Sequence, residues 1–129
     1  MVKAPVDLRY TDTHEWVREA ADGTLEVGIT DFAQDALGDI VYVECPAPGR
    51  QVTAGEAVGV IESVKATSDL YAPVSGEIVA VNGAIPDHCE AINADAFGAW
   101  LYRLKPSSPG ETARLLDAAA YVRSVEAAR

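Results

Sequence analysis

A chain of 129 residues supplies one modest hydrophobic core, and its 49% hydrophobic and 23% charged residues are the ordinary balance of a globular protein. Twenty acids against ten bases give a net charge of −10, which argues against the phosphate backbone of a nucleic acid or an anionic membrane surface as a partner. No apolar run approaches the roughly 18 residues of a membrane-spanning helix.

The acidity has two compatible readings, solubility and steering toward basic faces on partner proteins. Met1-Val-Lys-Ala-Pro5 carries no signal-peptide apolar region and no Arg-rich presequence. The expectation is a cytoplasmic bacterial protein, with a mature mitochondrial form as the alternative. Cys45 and Cys89 form no CxxC pair and have no histidine cluster beside them. They read as ordinary thiols in a reducing compartment, not as a zinc site.

The first predicted elements are two alternating runs, Trp16-Val-Arg-Glu19 and Thr24-Leu-Glu-Val-Gly-Ile29, around a loop ending at Gly23. They read as an antiparallel hairpin. Asp31 is placed to cap a short helix, with Gln34 three residues on, and Gly38 to end it in left-handed geometry. A strand over 39–44 follows, then the turn Pro46-Ala-Pro-Gly49. Strands are expected over Ala57–Ile61, over Thr67–Val74, and after Gly76-Glu77 through Val81. Residues 84–97 read as irregular with a helical turn near Cys89–Asn93. Trp100–Leu104 is the expected closing strand. Ser108-Pro-Gly-Glu111 opens a C-terminal helical segment, about 108–127, with an apolar stripe of Leu115, Leu116, Ala119, Val122 and Val125. Asp117 offers a second cap.

Gly38-Asp-Ile-Val-Tyr-Val43 is echoed by Gly76-Glu-Ile-Val-Ala-Val81. Two related halves packed face to face would make a sandwich of short strands. Between two of these strands stands Glu62-Ser63-Val64-Lys65-Ala66. A surface lysine is usually a solvated charge. Here it tops a hairpin whose turn lacks the Gly or Asn that tight turns favour, and Val64 spends a β-branched apolar side chain on the tip. An enzyme that reads the tip would account for both. Glu62 and Asp69 are the nearest acids along the chain.

The stretch Gly59-Val-Ile-Glu-Ser-Val-Lys65-Ala-Thr-Ser-Asp-Leu-Tyr-Ala-Pro-Val-Ser-Gly76-Glu77-Ile78 closely resembles the lipoyl-lysine segment of the glycine cleavage system H-protein family. Tyr10-Thr-Asp-Thr-His14-Glu15-Trp16-Val17, the run from Gly28 to Glu44, and Trp100-Leu-Tyr-Arg-Leu-Lys105-Pro106 resemble its other motifs in the same order. The likeness covers roughly Val6 to Val122. Cys45 stands where leucine is common, and the region 95–100 is one residue shorter than usual and lacks its proline.

The resemblance implies a mainly β, lipoyl/biotinyl-type sandwich (a flattened barrel) of two quasi-symmetric halves. A short helix follows the N-terminal hairpin, and a C-terminal helix closes the chain. One carrier domain would span 1–129, with its core at about 6–105. Lys65 would carry lipoic acid, and Glu62, Ser63, Val64, Ala66 and Gly76 would form the turn and its recognition. Thr13, His14, Glu15 and Asp69 would line a cleft for the loaded arm, with carboxylates suited to a cationic methylamine group. The implied partners are glycine decarboxylase (P protein), aminomethyltransferase (T protein), dihydrolipoyl dehydrogenase (L protein), and a lipoate ligase or lipoyl/octanoyl transferase. The aminomethyl group would pass from the first to the second, and the third would reoxidise the arm. A monomer is expected, because such a carrier docks with several enzymes in turn.

Other readings remain. One is a lipoyl or biotinyl domain of another complex, but biotinyl domains usually flank their lysine with methionine, and the sole Met here is Met1. Another is a lipoyl-relay protein on the same fold. As for an enzyme, no nucleophile-base set or phosphate loop is present in the sequence.

Overall fold

The computed structural model describes residues 2–128; Met1 and Arg129 lie outside the described residues. In chain order the elements are β1 (Arg9–Tyr10), β2 (Glu15–Glu19), β3 (Leu25–Ile29), α1 (Asp31–Leu37), β4 (Ile40–Glu44), β5 (Gln51–Val52), β6 (Ala57–Ser63), β7 (Thr67–Tyr71), β8 (Gly76–Val81), α2 (Glu90–Ala94), β9 (Tyr102–Pro106), α3 (Pro109–Ala113) and α4 (Ala118–Ala128).

The strands form two sheets, ordered β1-β2-β3-β9-β8-β5 and β4-β6-β7, with every pairing antiparallel. Their facing side chains, among them Val27, Ile29, Ile61, Leu70, Ile78 and Leu104, make the main core. The architecture is the expected sandwich; it is flattened rather than closed into a barrel. The two echoed strands, β4 and β8, fall in opposite sheets, as two halves packed face to face require. A second cluster of Leu8, Tyr10, Trp16, Ala118, Tyr121 and Val125 seats α4 against β1 and β2.

Close packing explains two glycines. A Cβ on Gly28 would stand 2.5 Å from the indole of Trp16, a fully buried ring that donates its N–H to the Ala96 carbonyl at 2.9 Å. A Cβ on Gly76 would overlap the Lys105 carbonyl oxygen across the β8–β9 pair. Both are positions of close backbone or ring approach.

Several boundaries differ from the sequence expectation. The strand expected over Thr67–Val74 ends at Tyr71, because Pro73 has no N–H for a ladder and the Ala72 N–H turns to the Glu56 carbonyl at 2.9 Å. The closing strand is Tyr102–Pro106 rather than Trp100–Leu104. The Asn82 side-chain amide takes the Trp100 carbonyl at 2.8 Å and diverts it from the ladder. The α1 cap is Thr30, whose hydroxyl accepts the Ala33 N–H at 3.2 Å. Asp31 lies inside the first turn and accepts the Gln34 side-chain amide at 3.1 Å. Gly38 does have positive φ, +82°, but with an extended ψ of −158° rather than a left-handed helical one.

The C-terminal segment is two helices, divided where Asp117 offered a second cap. Ser108 makes no side-chain cap. Glu111, its expected capping partner, instead reaches the Ser75 N–H at 2.9 Å and ties α3 to the sandwich. Asp117 caps α4 by accepting the Ala120 N–H at 2.8 Å. The buried residues of α4 are Ala118, Tyr121 and Val125, so Ala119, expected in the stripe, faces outward. Leu115 and Leu116 lie between the helices, where Leu116 pairs with Tyr10 as an isolated β-bridge.

Candidate functional site

Lys65 is exposed at the β6–β7 tip, and among the described residues it makes no ion pair, with Glu62, Asp69 or any other acid. The turn holds its shape without Gly because Ser63 closes it. The Ser63 N–H donates to the Ala66 carbonyl at 2.8 Å, and the Ser63 hydroxyl accepts the N–H groups of Ala66 (3.0 Å) and Lys65 (3.3 Å). A side-chain oxygen thus substitutes for a backbone turn. Val64, 69% exposed, donates its N–H to the Asp39 carbonyl at 3.0 Å. The tip is therefore pinned to the α1–β4 junction. A Cβ on Gly38 would lie 3.3 Å from Lys65 Cε, so the lysine stem runs over a residue that offers it room. Gly38 follows Leu37, the last residue of α1 and part of the cleft wall described next.

A cleft of about 220 Å³ lies between α1, the start of β2 and the β6–β7 hairpin. Its walls include Phe32, Leu37, Ile61 and Leu70, and its polar lining includes Thr13, His14, Glu15 and Asp69. The four residues predicted for an arm cleft therefore converge on one cavity. The walls suit an aliphatic arm, and the polar end suits a small cationic group. Of the recognition residues, Glu62, Ser63, Val64 and Ala66 sit at or beside the tip, whereas Gly76 belongs to the opposite sheet.

The polar end is built by a short hairpin. Tyr10 pairs with Trp16, the Thr11 N–H donates to the Glu15 carbonyl at 3.0 Å, and the His14 N–H donates to the Thr11 carbonyl at 3.2 Å. To close this loop His14 adopts φ +71°, which is uncommon for a side-chain-bearing residue. Glu15, expected in the lining of a cleft, is 1% exposed. Its carboxylate accepts the hydroxyls of Thr11 and Thr13 and, at 3.3 Å, the Tyr71 N–H. Burial raises its pKa above the usual carboxylate range, and those three hydrogen bonds oppose the shift. Asp69 remains exposed, with the Tyr71 hydroxyl at 3.5 Å. His14 Nδ1 lies 2.8 Å from the Tyr121 hydroxyl, which lies 2.8 Å from the Thr30 hydroxyl. Burial lowers the His14 pKa, and the phenol of Tyr121 is pushed up to about 12, chiefly by burial.

Three features of this site went unread in the sequence. The Ser63 turn had a signal, since serine three residues before the end of a turn commonly supplies such a bond. Thr11 had a weak one, a threonine two positions before Thr13 in a tight hairpin. The reach of Tyr121 from a distant helix had none.

The family model of the glycine cleavage H-protein matches residues 8–128. The chain belongs to the glycine cleavage H-protein family. Its relatives include the glycine cleavage system H protein of Azoarcus sp. (strain BH72), 58% identical over 125 residues that cover 97% of this chain and 98% of that one. The H protein of Burkholderia vietnamiensis is 57% identical over 126 residues, covering 98% and 100%. The crystal structure of the H protein from Mycobacterium marinum matches with a TM-score of 0.87 at 44% identity, covering 95% of this chain and 98% of that one. The H-protein fold is thus the fold described above. Membership makes the chain a lipoyl-carrier subunit of the glycine cleavage system, not one of its enzymes, with the P, T and L proteins of that system as its partners in general. Among the described residues, no helix is long and apolar enough to cross a membrane.

Proposed function

We propose that Lys65 is the lipoyl attachment site and that the cleft of Thr13, His14, Glu15 and Asp69 shelters the loaded end of the arm. The observation that carries this reading is the tip itself. An unpaired, exposed lysine stands on a turn closed by Ser63 and pinned to Asp39, and its stem crosses Gly38 at the end of a cleft-lining helix.

When attached, the lipoyl group would supply a reducible disulfide suited to accepting aminomethyl from glycine decarboxylase, passing it to the aminomethyltransferase and being reoxidised by dihydrolipoyl dehydrogenase. This chain's residues do the rest. Lys65 Nζ forms the amide, and because amide formation needs the neutral amine, the lipoate ligase or lipoyl/octanoyl transferase must supply deprotonation and activation. The apolar walls of Phe32, Leu37, Ile61 and Leu70 exclude water from the arm. Glu15 and Asp69 place negative charge where a cationic amine arrives. The whole of 1–129 acts as one carrier domain, a cytoplasmic monomer that presents one tip to each partner in turn.

Intact mass after incubation with lipoate, ATP and a lipoate ligase tests the site. The wild type gains one lipoyl group and Lys65→Arg gains none. An unmodified wild type, with a known acceptor modified in parallel, would overturn the assignment.

A further inference from the structure

We propose that Thr11, which lies outside the arm cleft, is a positioning residue that orients the Glu15 carboxylate toward a cationic amine in that cleft. The inference rests on the cleft reading given above and assigns a role to a residue which that reading does not use.

Glu15 is the one buried acid among the described residues, and none of their ion pairs includes it. With no cation beside it, its charge is held by hydrogen-bond donors alone, so their geometry decides where its lone pairs face. Donor accounting separates the two threonines. Each hydroxyl has one proton. The Thr11 oxygen accepts the Glu15 N–H at 3.0 Å, and its proton goes to Glu15 Oε1 at 2.5 Å. Thr11 thus grips both the backbone and the carboxylate of one residue, and its hydroxyl is locked.

Thr13 also donates to Oε1, but its side chain is exposed and the Glu15 N–H goes to Thr11, not to it. The 3.1 Å approach of the two hydroxyl oxygens is then two donors side by side on one acceptor. Oε1 is saturated. Oε2 accepts just the Tyr71 N–H, at 3.3 Å, and keeps a free lone pair on a residue that lines the cleft.

Thr11 itself faces elsewhere. It lines a neighbouring hollow of about 440 Å³ with Asp12, Tyr71 and Arg114. It therefore acts on the cargo through Glu15 and not by contact. The other ionisable groups that share this environment are Asp12, Tyr102 and Tyr121, with His14 and Asp69 in the lining of the same cleft.

The test compares Thr11→Val, which keeps the shape without the hydroxyl, Thr11→Ser, which keeps the hydroxyl, and Glu15→Ala. Each chain is lipoylated and loaded from glycine by the decarboxylase, and release of ammonia and formaldehyde is followed. The Glu15 carboxyl is also titrated by carbon NMR in the unmodified chain, a readout independent of any cargo. Thr11→Val is expected to release about tenfold faster, the factor for a lost hydrogen bond to a charged group, and to titrate Glu15 at higher pH. Thr11→Ser restores both. If Thr11→Val fails to fold, Thr11→Ala takes its place.

Wild-type release from Thr11→Val beside fast release from Glu15→Ala overturns the role of Thr11 and leaves the cleft reading intact. Wild-type release from Glu15→Ala overturns the cleft reading and this inference with it. Equal defects in Thr11→Val and Thr11→Ser, or an unmoved Glu15 titration in Thr11→Val, reduce Thr11 to a structural residue and also overturn the proposal.

Discussion

Lys65 owes its presentation to the serine two residues before it. Ser63 closes the turn through its hydroxyl, which accepts two backbone N–H groups that no carbonyl serves. Removing that acceptor leaves both to water, and neutral bonds of this kind are worth roughly 1 kcal/mol. Ser63→Ala is expected to lower stability by about 1 kcal/mol in urea denaturation. It should also lower the kcat/KM of the lipoyl-attaching enzyme, because the lysine no longer arrives in one orientation. Unchanged values in both assays would mean that the turn keeps its shape without the hydroxyl.

Between elements, the join that matters is the one from α4 to the cleft. Tyr121, from α4, stacks on Tyr10 with ring centroids 4.7 Å apart, and its hydroxyl meets both His14 and Thr30. Thr30 caps α1, and α1 and His14 line the cleft. One phenol therefore ties the C-terminal helix to two cleft elements. This join predicts a pH dependence. The folded pKa of His14 lies below its ordinary value of 6.5, because burial outweighs the opposing charge of Asp12. As pH falls, the unfolded chain binds that proton first. The contribution of His14 is therefore full above pH 6.5 and is lost as the pH falls through 6.5 toward the lowered folded value. Glu15 runs the other way: its folded pKa is raised above 4.5, so its contribution is full below 4.5 and is lost as the pH rises through the folded value. Urea denaturation from pH 7 downward should show the His14 loss in the wild type and not in His14→Asn, a residue that tolerates positive φ without titrating. Parallel curves for the two would place the loss elsewhere.

For the whole molecule, a net charge of −10 gives every partner the same long-range field to meet. Long-range attraction acts on the encounter rate and is screened by salt. If the acidity steers docking, raising ionic strength lowers the kcat/KM of the attaching enzyme and leaves kcat little changed. A salt-independent kcat/KM would leave solubility as the sole role of the charge. The scale at which a residue acts also decided how far it could be read in advance. The lysine-bearing hairpin tip, the echoed strands and the α1 helix are carried by local pattern, and the structure has them where expected to within a few residues. The strand ends that moved, at Tyr71 and Tyr102, moved because a backbone group found a partner far along the chain, whereas the α1 cap moved by one residue, to Thr30, through a contact with Ala33 three residues on. The C-terminal helical segment is divided where Asp117 offered a second cap, and Leu115 and Leu116 fall between the two helices.

By itself the sequence determined the family likeness, the two-sheet sandwich, and the lysine that tops its hairpin. These rest on residue types at short spacing, where alternation, glycine and proline act on their immediate neighbours. The tertiary structure alone decided that Glu15 is a buried carboxylate with no cation paired to it among the described residues. It also decided that Thr11 and Tyr121 organise the surroundings of the cleft, and that the tip leans on Gly38 and Asp39. Those facts depend on which groups meet after the sheets pack, and desolvation and hydrogen-bond partnership exist only once that packing has formed.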